Sequence, residues 1–403
     1  MNEAVCVMGL GYIGLPTAAL LAASGFRVLG IDIDPQVVDT INRGQVHIVE
    51  PDLDGLVHKV VADGTLRAAL SPAVADVFML CVPTPFHAAE GDPQPNVDYV
   101  LAAVRTIAPL VRPGNMVILE STSPVGTTEK VAHELQAAGV DTAAVHIAYC
   151  PERVLPGKIL TELVDNDRIV GGQTAEAAQT VGEFYRRFVR GRVLETDSKT
   201  AEMCKLTENS FRDLNIAFAN ELSIICDKQG IDVWNLIALA NCHPRVDILR
   251  PGPGVGGHCI AVDPWFIVAS DPANARLIRQ ARLVNNGKTD WVIEKIRAAA
   301  EARPGARVAC LGLAFKPDID DLRESPAMEV ARALAVHGIA TLNVEPNIHD
   351  HADMPLASLD DALEQADIVA ILVSHRQFTG PGFAERLAGK TVLDFCGALT
   401  RPV

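Results

Sequence analysis

The strongest constraint on this chain lies in its first 32 residues. Val5-Cys-Val-Met8 is a short apolar run that leads into Gly9-Leu-Gly-Tyr-Ile-Gly14 and the small-residue stretch Leu15 to Ala23. A second run, Arg27 to Ile31, ends at Asp32. Strand, glycine turn, helix, strand and acid in this order form a dinucleotide-binding fingerprint. Gly9 permits the tight turn, Gly11 lets the backbone approach a pyrophosphate, and Gly14 lets helix and strand pack closely. The helix N-terminus offers partial positive charge to the phosphates. Asp32 would accept hydrogen bonds from the adenosine ribose and repel a 2′-phosphate, so NAD is expected over NADP. Ala4 to Phe26 carries no charge, but its four glycines and Pro16 argue against a membrane span or a signal peptide.

The alternation of strand and helix continues. Apolar strands are expected at 77–82, 116–119 and 145–149, with helices at 96–110 and 127–138. Thr84, Thr122, and Glu152 with Arg153 then fall at three successive strand ends, where ligands bind in open α/β sheets. Taken singly, each reads equally well as an ordinary loop or capping residue.

Residues 200–229 contain neither Gly nor Pro and read as one long helix. Lys205, Asn209 and Arg212 share a face of it, by their i, i+4, i+7 spacing. That face could be solvated, or the helix could be a spine between domains and a dimerisation surface. A second helix over 232–240 leads to Asn241-Cys-His-Pro-Arg245. Beyond it, Pro251 to Trp265 holds four glycines and three prolines and cannot be a regular helix or a central strand. Glycines this dense would let backbone amides approach a ligand. Cys259 lies within the stretch, between His258 and Asp263, as covalent chemistry at a carbonyl carbon would need. A structural cysteine is the other reading. Cys242, His243, His258 and Cys259 form adjacent pairs without zinc-module spacing, so no metal is expected.

Helix is expected over 272–302. A second α/β unit follows, with strands at 307–313, 340–344, 368–373 and 391–393 and a helix at 327–337. It has no complete glycine fingerprint. Lys316 and Arg323 are its candidates for a phosphate or uridine. The chain of 403 residues has a formal net charge of -15, which argues against nucleic acid and anionic membrane as partners. Nine scattered cysteines suit a reducing cytoplasm.

Taken together, the motifs resemble the nucleotide-sugar 6-dehydrogenase family, the relatives of UDP-glucose and GDP-mannose dehydrogenases. The likeness rests on Gly9 to Pro16, Ser121-Thr-Ser-Pro-Val-Gly126, Pro151-Glu152, Lys205 with Asn209, Gly256-Gly-His-Cys259 with Asp263, and Gly312-Leu-Ala-Phe-Lys-Pro317. His47 to Leu53, Cys150 to Gly157 and His243 to Arg245 with the Pro251 stretch direct it to members that act on UDP-N-acetylhexosamines, with UDP-N-acetyl-D-mannosamine first. Val262 stands where UDP-glucose enzymes carry Lys. UDP-N-acetylglucosamine, UDP-N-acetylgalactosamine and UDP-glucose are the alternatives.

The resemblance implies two doubly wound Rossmann-like α/β domains joined by a long central helix. Residues 1–197 would bind NAD, 198–300 would carry the cysteine loop and a dimer interface, and 301–403 would bind the UDP-sugar. It implies a four-electron oxidation of C6, in which the Cys259 thiolate captures the aldehyde as a thiohemiacetal and a second oxidation leaves a thioester for hydrolysis. Lys205 and Asn209 would stabilise the oxyanion, Thr122 and Asp263 would hold the water, and Glu152 would be a base. Gly9, Gly11, Tyr12, Ile13, Gly14, Asp32, Thr84, Thr122 and Arg323 would contact the cofactor. Arg153, Val154, Lys205, Asn209, Arg212, His243, Arg245, Gly256, Phe315 and Lys316 would contact the substrate, with Arg245 reaching into a partner subunit of a homodimer. Rival readings are a 3-hydroxyacid or 6-phosphogluconate dehydrogenase, which needs no loop cysteine, and a non-catalytic NAD and nucleotide-sugar sensor.

Overall fold

The structure, a computed structural model, describes residues 3–87, 91–155, 157–257 and 259–399. His258 and Pro156, both within motifs quoted above, lie outside the described residues. The chain divides into two compact units, Met1–Thr207 with Trp265–Asp271, and Glu208–Pro264 with Pro272–Val403.

The first unit contains β1 (Ala4–Met8), β2 (Arg27–Ile31), β3 (Leu66–Ala69), β4 (Val77–Leu80), the hairpin β5 (Phe86–His87) and β6 (Gln94–Pro95), β7 (Met116–Leu119), β8 (His146–Tyr149), β9 (Arg168–Gly172) and β10 (Val193–Asp197). Eight of these form one sheet, ordered β10-β9-β8-β7-β4-β1-β2-β3. The order reverses between β1 and β4, which places a ligand crevice at their C-terminal ends. The strands alternate between two buried faces. Val5, Val7 and Val77 meet Leu15, Leu21 and Phe26 on one side. Cys6, Phe78 and Val117 meet Val104, Ile107 and Leu135 on the other. The uncharged N-terminal stretch forms β1, the turn and the helix Gly14–Ala23. Among the described residues no helix is long and apolar enough to cross a membrane.

Residues 158–197 hold structure that apolar patterning does not announce. β9 runs antiparallel to β8, and β10 parallel to β9. β9 ends in Gly171-Gly172, and packing demands both glycines. A Cβ on Gly171 would lie 2.5 Å from Ala201 Cβ, and one on Gly172 2.4 Å from Ala178 N.

The second unit has β11 (Val308–Leu311), β12 (Thr341–Val344), β13 (Ile368–Ile371) and β14 (Thr391–Asp394), all parallel, in the order β12-β11-β13-β14. Its order reverses between β11 and β13. The fold is thus two doubly wound α/β sheets joined by the long helix Ser198–Gln229. Asp197 starts that helix by accepting the backbone N–H and hydroxyl of Thr200.

Two expectations are corrected. The helix expected over 272–302 begins only at Arg276 and runs to Glu301, because residues 272–274 form a turn after Asp271. The stretch ending at Trp265 is not irregular throughout: Asp263–Ser270 is a helix, with Pro264 in its first turn, where the missing N–H costs nothing.

Within the second unit the two long helices, 198–229 and 276–301, are joined by a polar ladder that is buried except at its last rung. Arg282 pairs with Asp213 at 2.5 Å, and Asn285 bonds both the carboxylate and the carbonyl of Asp213. Asn220 donates to Asn285 and Lys288 to Ser223. Lys295 pairs with Asp227 at 2.7 Å. Lys288 is fully buried 3.7 Å from the Trp291 ring centroid, and burial pulls its ammonium down to about 7. Removing one partner of a buried pair strands the other charge. Arg282→Met should therefore lower stability in urea unfolding by about 3–5 kcal/mol, and Asp213→Leu combined with Arg282→Met should recover most of that loss.

Candidate active site

At the switch point of the first sheet, each fingerprint glycine has a distinct steric cause. Gly9 has φ +90°, and a Cβ there would lie 2.7 Å from Cys81 O. A Cβ on Gly14 would fall 1.8 Å from Gly9 O, so helix and turn touch backbone to backbone. A Cβ on Gly11 would meet nothing within 4 Å, which leaves that face open as a phosphate-binding turn requires. Tyr12 is exposed and Ile13 half-buried beside it. Asp32 Oδ2 accepts from Leu10 N and Oδ1 from Asp34 N, both at 3.0 Å, so its carboxylate is fixed at the end of β2. Sequence reasoning missed Ile33 and Leu70, which are 90% and 53% exposed beyond the paired ends of β2 and β3. They offer an apolar surface suited to a flat base. The signal was an apolar residue directly after the acid.

Thr84 and Thr122 are brought together: Thr84 Oγ1 donates to Thr122 O at 2.6 Å. The Ser121–Gly126 turn is held from the long helix by Glu202, which accepts from Gly126 N, Thr128 N and Thr128 Oγ1 at 2.6–2.7 Å. Glu152 is buried and salt-bridged to Arg168, an arrangement that sequence gave no sign of. Arg168 lies over the Tyr185 ring, and Tyr185 donates to Glu120 at 2.6 Å. Burial, with the charge of Glu152 added, pushes the Glu120 carboxyl up to about 7, against the pull of Arg168, Tyr185 and Cys81. Arg153 donates to Asp167 O, and Val154 beside it is half-buried. Glu50 accepts from Gly157 N and Ile159 N at 2.8 and 2.7 Å. It thereby joins the His47–Leu53 and Cys150–Gly157 segments.

On the long helix Lys205 is 9% exposed and Asn209 half-buried one turn on, while Arg212 is exposed. Asn209 donates its amide to Asp263, which is 3% exposed at the start of its helix. Cys259 is an exposed thiol. Its carbonyl accepts from Val262 N and Asp263 N at 3.1 and 2.9 Å, a turn that leads straight into that helix.

The glycines before Cys259 are crowded by the chain itself rather than kept open for a ligand. A Cβ on Gly254 would lie 2.5 Å from Thr289 Oγ1, one on Gly256 2.4 Å from Glu324 O, and one on Gly257 2.9 Å from the Phe315 ring. Gly252 N donates to Asn220, and Thr289 donates to Pro253 O. The loop is thus seated on both long helices and on the second sheet's domain. Lys316 lies half-buried beside Phe315, its Nζ 5.9 Å from the ring centroid. Arg323 makes a two-pronged contact with Asp321. His243 and Arg245 are exposed, and Arg245 N donates to His243 Nδ1.

Three successive segments match one family: its NAD binding domain at residues 3–189, its central domain at 199–287 and its UDP binding domain at 309–401. The chain belongs to the UDP-glucose/GDP-mannose dehydrogenase family. It is 55% identical to a UDP-N-acetyl-D-mannosamine dehydrogenase of Escherichia coli (strain K12), over 93% of this chain and 94% of the relative. It is 51% identical to an NDP-N-acetyl-D-galactosaminuronic acid dehydrogenase of Ralstonia nicotianae, over 98% and 95%. A solved UDP-D-ManNAc dehydrogenase from Pyrococcus horikoshii superposes with a TM-score of 0.90 at 38% identity, covering 99% of this chain and 96% of that one. The first unit's fingerprint therefore belongs to an NAD-binding domain of a dehydrogenase.

The fixed Asp32 carboxylate makes cofactor choice testable. Wild type should have a far higher kcat/KM with NAD than with NADP, and Asp32→Ser should narrow the ratio by about tenfold, ~1.4 kcal/mol. Equal values in the wild type would remove the role of Asp32.

Proposed function

We propose that this dehydrogenase oxidises C6 of UDP-N-acetyl-D-mannosamine to the uronic acid through covalent intermediates on Cys259. The observation that carries this reading is an exposed thiol placed at the turn before Asp263, whose carboxylate is bonded by Asn209, one helical turn from Lys205. The names of its relatives support the sugar. NAD, when bound, supplies the hydride acceptor for each of two oxidations at C6. Cys259 Sγ adds to the aldehyde carbon and holds it as a thiohemiacetal, so the reactive carbonyl is never released. Lys205 and Asn209 donate to the oxygen that gains charge. Oxidation of the thiohemiacetal leaves a thioester. A water held by Thr122 and Asp263, with Glu152 as base, then forms the new C–O bond as the C–S bond breaks, and the thiolate departs. Residues 1–197 serve NAD, 198–300 the thiol chemistry, and 301–403 the nucleotide sugar; Arg153, Val154, Arg212, His243, Phe315, Lys316 and the Gly256 backbone are assigned to the sugar nucleotide, and Arg323 to the cofactor.

The assay is a panel of UDP-sugars with wild type and Cys259→Ala. UDP-N-acetyl-D-mannosamine should outperform the glucose, N-acetylglucosamine and N-acetylgalactosamine analogues. Cys259→Ala should lose acid formation by several orders of magnitude, while reduction of the C6 aldehyde by NADH persists weakly. Acid formation by Cys259→Ala near the wild-type rate would remove the covalent mechanism. Faster oxidation of another sugar would correct the substrate alone.

We also propose a homodimer. Phe211, Phe218 and Ile225 are 70%, 51% and 44% exposed at seven-residue spacing on the long helix, an apolar seam suited to a second copy. The exposed Arg245 would then reach the partner's substrate. Sedimentation should give the mass of two chains, and Phe211→Lys with Phe218→Lys should give one. A monomeric wild type would exclude the dimer.

A further inference from the structure

The two sheets share a local geometry at their switch points. Gly9 N donates to Ile31 O at 2.8 Å, and Gly312 N donates to Val344 O at 2.8 Å. The next N–H goes in each case to an acid at the end of the neighbouring strand: Leu10 to Asp32 at 3.0 Å, and Leu313 to Glu345 at 2.8 Å. The acid's other oxygen takes the N–H two residues further on, from Asp34 and from Asn347, both at 3.0 Å.

The acids then differ. Asp32 is partly open to solvent, as a ribose-binding carboxylate must be. Glu345 is 4% exposed and accepts five hydrogen bonds, from Leu313 N, Ala314 N, Asn347 N, Asn347 Nδ2 and His375 Nε2. Burial pushes its carboxyl up, but the bonds, His375 foremost, hold it below its ordinary value. His375 is wholly buried, and its Nδ1 accepts the Asp318 N–H at 2.9 Å. That contact puts the ring hydrogen on Nε2, facing Glu345 Oε2 at 3.0 Å.

Residues 313–318 therefore form an arch with both feet held. Glu345 takes the N–H groups of Leu313 and Ala314, and His375 takes that of Asp318. Arg376 also grips the Asp318 carboxylate, at 3.0 Å. Phe315 and Lys316 stand between the feet, and the Phe315 ring is the surface against which Gly257 of the cysteine loop is fitted.

We propose that Glu345 and His375 are a positioning pair for the dehydrogenase reaction. They occupy the place that a ribose-binding acid holds in the first sheet and use it to fix the arch that presents Phe315 and Lys316 to the nucleotide sugar. The proposal rests on the assignment of Lys316 to that substrate. A pair that positions the arch affects sugar binding selectively. A pair that only supports the fold affects every parameter in step with stability.

The test is steady-state kinetics and thermal melting of the full chain, with UDP-N-acetyl-D-mannosamine and NAD each varied, for Glu345→Gln, His375→Ala, His375→Asn and Lys316→Ala. Glu345→Gln and His375→Ala should raise KM for the sugar nucleotide about tenfold, with kcat and the NAD KM within about twofold of wild type. His375→Asn keeps an acceptor for the Asp318 N–H and should fall between His375→Ala and wild type. It carries the test should Glu345→Gln not fold. A sugar KM raised by Lys316→Ala but untouched by the pair's variants overturns the proposal. So do losses in kcat and both KM values that follow the fall in Tm. An unchanged sugar KM in Lys316→Ala shows instead that the arch does not meet the substrate, and the proposal falls with that assignment.

Discussion

The second unit depends on a steric fit that leaves no room for side chains. Gly254, Gly256 and Gly257 lie so close to Thr289, Glu324 and Phe315 that any Cβ would overlap them. The loop carrying Cys259 is thereby moulded onto a sheet domain some fifty residues further along the chain. The thiol and the arch bearing Lys316 consequently belong to one piece of structure. An alanine at Gly256 would push them apart, because its Cβ would lie 2.4 Å from the backbone oxygen of Glu324 and 2.9 Å from Cβ of Phe315, in the arch itself.

Buried carboxylates do the corresponding work for the backbone. Glu50 gathers the N–H groups of Gly157 and Ile159, Glu202 those of Gly126 and Thr128, and Glu345 those of Leu313 and Ala314. Each fixes a loop that bears a proposed functional residue. A carboxylate offers two acceptors at a fixed angle and gains from partial positive charge at helix starts. Part of the acidic excess is thus internal scaffolding rather than surface repulsion.

The first sheet was legible because its rules are local. Gly14 and Asp32 each answer a constraint within about 25 residues, and strands buried on both faces read as apolar runs. What escaped notice depends on distant partners. Gly171 and Gly172 are required by Ala201 and Ala178, which pack against them from other elements. The Glu152–Arg168 pair joins residues whose types alone suggest surface charge. The loop glycines were read as room for a ligand, but that room is occupied by a domain whose approach no spacing reveals. Asp263 looked like the end of a loop because the Pro beside it suggests interruption, although at a helix start proline is tolerated.

The polar ladder between the long helices has a mechanical consequence. Its rungs, Asp213 with Arg282, Asn220 with Asn285, Ser223 with Lys288 and Asp227 with Lys295, follow the same order along both helices. Sliding one helix by a turn, about 5.4 Å, would break every rung at once and leave several buried groups without partners. A greased apolar seam could slip by such a step; this one works as a keyed shaft. Torque or displacement applied to one end of the helix Ser198–Gln229 is passed on whole to Arg276–Glu301, and any motion of the unit must turn the two helices together.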